Sequence, residues 1–433
     1  MIGKTIKIGT GMVVALTAGM LAFPSSAYAD YAPTSDDVVG VGSDTLQQLG
    51  DFVADGDFTG NVGYNTAGNK NKFISIDATA DANTRLAYST GGLGGTNACA
   101  PGTGGTVGTG GANGTHTDSP CILNPTVLLR AGKSPTQRPN GSGAGYNLLK
   151  QDTNAGGTGL GYVDFARASS GRGSNVLFDS VTVGTDPLAM LSSTTTNAVA
   201  LSVAQLNSIY ACSATTWTAV GGASSATIKP LLPQVGSGTR TSFLTAIGNP
   251  TLGSCVQNVE ENDPEAIDAS GDSANAIEPM SGGRLNLFLG KLSDGTSNGV
   301  GGYFKDPSCP FPPAESTTPT ACTTGATLAP NVKFWNTGTP STGTLFNITR
   351  NLFIYFRHAD INSTKKFQPG GSLNWVRTML YNPCPTPGSP SCVTVGGVEY
   401  GPGGAPYVAS ATGQADISAS GITPFYAYTA AGP

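Results

Sequence analysis

Charge and histidine are scarce in this chain. Only 11% of its 433 residues are charged, and the formal net charge is −5. A protein so short of basic groups lacks the electrostatic footprint that nucleic acid or an anionic membrane requires, so any anion it holds is met by local groups. Two histidines, His116 and His358, and the absence of any C-x-x-C pair leave no zinc pattern, and no metal or other cofactor is expected. A hydrolytic triad is equally short of a base: His116 lies in a glycine-rich stretch, and His358 follows a strand-like run with no serine pattern near it. Gly295-Thr296-Ser297-Asn298-Gly299 spells G-x-S-x-G but lacks the helical run that follows a nucleophile elbow. A secreted hydrolase is therefore the least supported function class, and the chain is expected not to be an enzyme. No apolar run reaches the ~20 residues of a spanning helix.

The N-terminus carries an export signal. Lys4 and Lys7 precede a short apolar stretch over 12–23, broken by Thr17 and Gly19, and Ala27-Tyr28-Ala29 is a small-x-small cleavage site before Asp30. This is the pattern of a secretory signal peptide over 1–29. The first cysteine is Cys99, far from the cleavage site, so no lipid anchor is expected, and the mature protein is expected to be secreted, either released or held at the surface by something else. Eight cysteines in an exported chain suggest disulfides. Taken in order they pair Cys99 with Cys121, Cys212 with Cys255, Cys309 with Cys322 and Cys384 with Cys392, a sequential pattern that closes four loops without crossing elements. It is an expectation only, because eight cysteines allow 105 connectivities.

Three glycine turns stand before apolar runs. They are Gly42-Ser43-Asp44-Thr45 before Leu46, Gly141-Ser142-Gly143-Ala144-Gly145 before Tyr146, and Gly236-Ser237-Gly238-Thr239-Arg240 before Phe243. Glycine permits the tight turn, hydroxyls cap or donate, and the free N–H groups of the following helix attract an anion. A single turn of this kind is ordinary helix capping; three in one chain point to an oxyanion cradle. Strand-like runs at 38–41, 72–76, 126–130, 161–165 and 181–184 alternate with helical periodicity at 203–210 and 373–380, which is an α/β signature. The stretch 91–119 is almost entirely Gly, Thr, Ala and Asn and is expected to be an inserted surface loop, tied at its base by Cys99 and Cys121. The Pro- and Thr-rich stretch 306–330, which contains Cys309 and Cys322, is expected to be another.

The order of Gly42-Ser43-Asp44-Thr45, Gly141-Ser142-Gly143, Val163-Asp164-Phe165-Ala166-Arg167, Leu206-Asn207-Ser208-Ile209-Tyr210 with Trp217, and Gly236-Ser237-Gly238-Thr239 resembles the phosphate-binding solute receptors of ABC transporters. The resemblance continues through Ala276-Ile277-Glu278-Pro279 and the strand-like 351–357. It implies a type II periplasmic-binding-protein fold: two α/β lobes joined by crossover strands, closing on a tetrahedral oxyanion. The first lobe would take 30–186 and 345–433, and the second 187–344. Ligands in such sheets sit at the carboxyl ends of strands, where helix starts converge.

Carried over, the resemblance gives Ser43 and Thr45 to the first turn of the site, Ser142 and Gly143 to the second, and Ser237, Gly238 and Thr239 to the third. It implies inorganic phosphate or a similar oxyanion as ligand, an ABC transporter permease as partner, and a monomer. Two positions depart from the family. Pro233-Gln234-Val235 stands where the phosphate receptors place an arginine and then an acidic residue, so Arg240 or Arg167 would have to supply the cation. Ala168-Ser169-Ser170 stands where they have a carboxylate that accepts the proton of phosphate and thereby rejects sulfate. Asp44 is the candidate replacement; its bland alternative is a helix N-cap. A secreted surface or structural protein that reuses the fold without transport is the competing function class.

The mature chain is expected to begin at Asp30 and to carry no free thiol. Mass spectrometry of the secreted protein after alkylation without reduction checks both. Several alkylated cysteines or an N-terminal lipid would overturn them.

Overall fold

The computed structural model describes residues 33–78, 126–154, 161–299, 332–361 and 371–430, apart from 58, 66–68, 70, 134–135, 138, 172–176, 265, 372, 385 and 396. The export signal, the 91–119 and 306–330 stretches and His116 lie outside the described residues. So do four of the eight cysteines, namely Cys99, Cys121, Cys309 and Cys322, and with them two of the four expected pairings. Strand β1 (Val38–Gly42) is apolar throughout and buried at every position, as suits a parallel strand covered on both faces. It pairs in parallel with β2 (Phe73–Ser75) on one side and β5 (Phe165–Ala168) on the other, while β3 (Thr126–Val127) and β4 (Thr136–Gln137) form a separate small ladder. The expected strand at 161–165 starts four residues later. Gly161 turns with φ 68°, and the Asp164 carboxylate accepts from Val39 N (2.9 Å) and pairs with Arg130.

The expected strand at 181–184 is the middle of a sixteen-residue strand, β6 (Phe178–Ser193). Beyond it lie β7 (Lys229–Pro233), β8 (Gln257–Val259), β9 (Ala276–Ser281), β10 (Val332–Phe334) and β11 (Ile348–Arg357). The hairpin of β12 (Val393–Val395) and β13 (Val398–Tyr400) stands apart, and β14 (Thr423–Thr429) ends the series. One ten-stranded sheet runs β2-β1-β5-β11-β6-β9-β7-β8, with β10 and β14 also on β6. Its two outer parts are parallel, and its centre, where β11 and β6 pair along ten residues each, is antiparallel. β6 changes partner on one edge between Thr185, which faces β14, and Leu188, which faces β9. Pro187 lies in that gap, where a residue without an N–H costs the ladder least.

Nine helices are described: α1 (Gln47–Asp55), α2 (Gly141–Asn154), α3 (Val203–Tyr210), α4 (Gly238–Ala246), α5 (Ala266–Ala269), α6 (Gly282–Phe288), α7 (His358–Ile361), α8 (Val376–Met379) and α9 (Ala411–Ala419). α3 matches its expected span because Ser202 and Gln205 close a capping box. α8 is shorter than the expected 373–380.

The core divides where the sheet does. Leu46, Phe73, Phe165, Val183, Leu352, Phe356 and Ile417 belong to one cluster, and Leu188, Leu206, Trp217, Phe243, Trp335 and Phe346 to another. The protein is thus a two-lobed α/β structure with β6 and β11 crossing between the lobes. Tyr210 and Trp217 are wholly buried core residues of the second part, bonded to Leu231 O and Asn275 Oδ1. Cys212 is disulfide-bonded to Cys255 and Cys384 to Cys392, as the sequential pairing expects of these four. The pairing of Cys99 with Cys121 and of Cys309 with Cys322 stays an expectation from their order in the chain.

α2 presses on β1 through Gly145, where a Cβ would lie 2.5 Å from Gly42 Cα and 2.8 Å from Val41 O. Gly145→Ala is expected to lower stability by about 2 kcal/mol, read as a shifted midpoint in chemical denaturation.

Candidate functional site: a buried hydroxyl cluster between the lobes

Each of the three turns pivots on a glycine in the left-handed half of backbone space: Gly42 (φ 125°), Gly141 (φ 87°) and Gly236 (φ 94°). L side chains rarely adopt these angles. Ser43 N donates to Arg167 O (3.0 Å), and the chain turns through a short 3-10 segment into α1. Ser237 caps α4, accepting Arg240 N at 3.0 Å. The second and third turns meet through Gly143 N donating to Gly236 O (2.9 Å).

Around that contact the hydroxyls gather. Ser43 Oγ bonds Ser169 Oγ at 3.0 Å, and Ser142 Oγ accepts from Ser169 N at 3.0 Å. Gly238 fits between them so closely that a Cβ there would lie 2.2 Å from Ser169 Oγ and 2.4 Å from Ser142 Oγ. Thr45 Oγ1 and Thr239 Oγ1, from opposite parts of the sheet, are 3.4 Å apart. Ser43, Thr45, Ser142, Ser237 and Thr239 are all buried.

Charged groups close the cluster from β6, β11 and the loop after β8. Arg350 donates through Nε and Nη2 to Asp186 Oδ2 (3.0 and 2.8 Å), and its Nη2 also reaches Thr239 Oγ1 (2.9 Å) and Thr45 Oγ1 (3.4 Å). The remaining nitrogen, Nη1, is buried without a hydrogen-bond partner among the described residues. Glu261 Oε1 accepts from Thr239 Oγ1 (2.7 Å), Thr239 N (3.2 Å) and Thr45 Oγ1 (3.1 Å). Burial, and after it the Asp44 carboxylate, raises the Glu261 pKa above the ordinary value, against the pull of the Thr239 bonds and Arg350. Burial pushes Glu278 up further, with Asp263 and Glu260 adding to it.

The structure brings six of the expected residues together: Ser43, Thr45, Ser142, Gly143, Gly238 and Thr239. Ser237 serves them as the helix cap. Asp44 faces them from the first turn but does not cap a helix. Its Oδ2 accepts from Asn262 Nδ2 (3.1 Å), and its Oδ1 lies 3.7 Å from Arg284 Nη2. The structure does not bring the two expected cations to the hydroxyls. Arg167 donates to Ser75 Oγ and to Ile76 O within the first lobe, and Arg240 Nη1 holds Pro233 O and Asn258 Oδ1 (2.8 Å each) within the second. Their backbones belong to β5 and to the first turn of α4.

The cation at the hydroxyls is Arg350, which sequence reasoning missed along with Asp186, Ser169, Glu261 and Asn262. Glu260-Glu261-Asn262-Asp263 could have been noticed, since an acidic run is conspicuous in a chain with 11% charged residues.

Residues 127–303 match the model of a PBP superfamily domain. The matched PBP segment begins on β3 and takes in the second and third turns, Asp186 and the acidic run; Arg350 and the first turn lie outside it. Among solved structures, the PstS of Borrelia burgdorferi is similar at 13% identity over 90% of this chain and 98% of that one, with a TM-score of 0.36. An ABC-type phosphate transport receptor from Vibrio cholerae shares 16% identity over 65% and 85%, with a TM-score of 0.36. A phosphate-binding protein from Stenotrophomonas maltophilia shares 15% over 65% and 81%, with a TM-score of 0.33. No curated protein matches the chain. No helix among the described residues is long and apolar enough to cross a membrane.

Removing Asp186 would leave the Arg350 charge buried without the carboxylate oxygen that accepts from its Nε and Nη2. Asp186→Ala is expected to cost about 3–5 kcal/mol of stability in denaturant titration.

Proposed function

We propose that the protein is an exported solute-binding protein, not an enzyme, that closes two lobes on phosphate or a related tetrahedral oxyanion. One observation carries this: hydroxyl-bearing helix starts from both sides of the sheet meet beside Arg350, whose buried Nη1 has no hydrogen-bond partner among the described residues. A buried guanidinium donor is stabilised by an anionic acceptor, and hydroxyls and N–H groups at helix starts suit the remaining oxygens of a tetrahedral ion. The lobes would be 30–186 with 345–433, and 187–344, moving about β6 and β11. The three turns touch one another in the present conformation, so a ligand would enter only when the lobes part. The amino-terminal export signal fits secretion, and an ABC-type permease is the partner such a receptor would serve.

The direct contact of the turns also favours a second reading, in which the fold is kept as a secreted surface protein without a ligand. Calorimetry of the mature protein against phosphate, sulfate and a phosphate monoester separates the two. Under the receptor reading the wild type binds phosphate, and Arg350→Gln and Thr239→Ala each weaken binding by about ten- to a hundredfold, since a hydrogen bond to a charged ligand contributes about 1.5–3 kcal/mol. A folded wild type that binds none of the three leaves the second reading.

A further inference from the structure

The donors that an oxyanion would need are already engaged by a side chain of the protein itself. Glu261 Oε1 takes the Thr239 N–H in the first turn of α4, the Thr239 hydroxyl, and the Thr45 hydroxyl from the opposite lobe, at 3.2, 2.7 and 3.1 Å. One carboxylate oxygen with three convergent donors and an arginine beyond them has the surroundings of a bound oxyanion's oxygen. The backbone behind it is held: Glu261 N donates to Gln234 Oε1 at 2.7 Å, and Gln234 Nε2 reaches Asn140 Oδ1 at 3.3 Å. The carboxylate is therefore presented to the cradle by a fixed loop.

Resting on the oxyanion reading of this site, we propose that Glu261 is an internal competitor for the cradle, which an incoming oxyanion must displace before it can bind. The two cannot share it. An oxyanion beside the Glu261 carboxylate, with the Asp44 carboxylate already close, would place like charges together in a water-excluded space with Arg350 and Arg284 as the facing cations. A tethered competitor lowers apparent affinity in proportion to how fully it occupies the site, because the binding-competent state is only a fraction of the population. Glu261 would thus set a threshold, admitting an oxyanion that makes more contacts than one carboxylate oxygen and excluding simple carboxylates.

The test is titration of inorganic phosphate and sulfate into mature wild type, Glu261→Ala, Glu261→Gln and Arg350→Gln, with thermal melts to establish that each is folded. Glu261→Ala is expected to bind phosphate at least tenfold tighter than wild type. Glu261→Gln should shift the same way by less, because the amide keeps an acceptor oxygen without the charge; it decides the matter should the alanine variant fail to fold. Arg350→Gln should weaken binding. Glu261 variants that bind no tighter than wild type, while Arg350→Gln still loses affinity, would overturn the proposal and leave the oxyanion reading standing. Folded wild type and Glu261 variants that bind neither anion would overturn both.

Discussion

The pairing of Arg350 with Asp186 is the contact on which the rest of the arrangement depends. The two residues face each other directly across the antiparallel ladder of β11 and β6, so the ion pair lies on the crossover itself. From there it reaches both ways. Asp186 Oδ1 accepts from Ser281 Oγ and Gly283 N at the start of α6, 2.9 Å each, and Arg350 Nη2 reaches the threonine of the first turn and that of the third. A buried ion pair contributes little net stability against an apolar substitute, because both charges lose their hydration. What this one supplies is position: it holds two turns, drawn from opposite parts of the sheet, at a fixed distance from the strands between them.

Carboxylates outnumber cations around the hydroxyl cluster. Asp44, Asp186, Glu260, Glu261, Asp263 and Glu278 are all at most 3% exposed, against Arg284 and Arg350 on the cationic side. Burial, and after it neighbouring carboxylates, raises the pKa values of Glu261 and Glu278 above the ordinary ones.

Much of the local structure was legible in the sequence, because it rests on short-range chemistry. Gly42, Gly141 and Gly236 announce their turns by lacking a Cβ, and Ser202 with Gln205 announces the start of α3. The Val-rich run of β1 reads as a buried strand. What was not legible depends on partners far apart in the chain. Only the four residues 181–184 of β6 read as a strand, since Asp186, Pro187 and the serines at 192 and 193 break the apolar pattern. Those residues are strand because β9, β10 and β11 pair with them. Arg350 is separated from Asp186 by 164 residues, and no spacing rule links them. Arg240 adjoins the third turn and Arg167 belongs to the 163–167 segment, yet a strand or a helix start aims a side chain by its backbone direction rather than by its distance along the chain.

The division of the core has a consequence for how the chain assembles. The second part draws its apolar cluster from one unbroken stretch, Leu188 to Phe346, closed on itself by the disulfide between Cys212 and Cys255. The first part draws its own from both ends, Val38 to Val183 and Leu352 to Ile422. A contiguous unit pairs its residues at short loop-closure cost, whereas a discontinuous one waits for contacts across most of the polypeptide. As the chain emerges, the later-encoded half can therefore finish before the half that begins it. The amino-terminal β1 and its turn stay without their full core until β11, α9 and β14 arrive. That delay keeps the leading segment pliant until almost all of the chain is present.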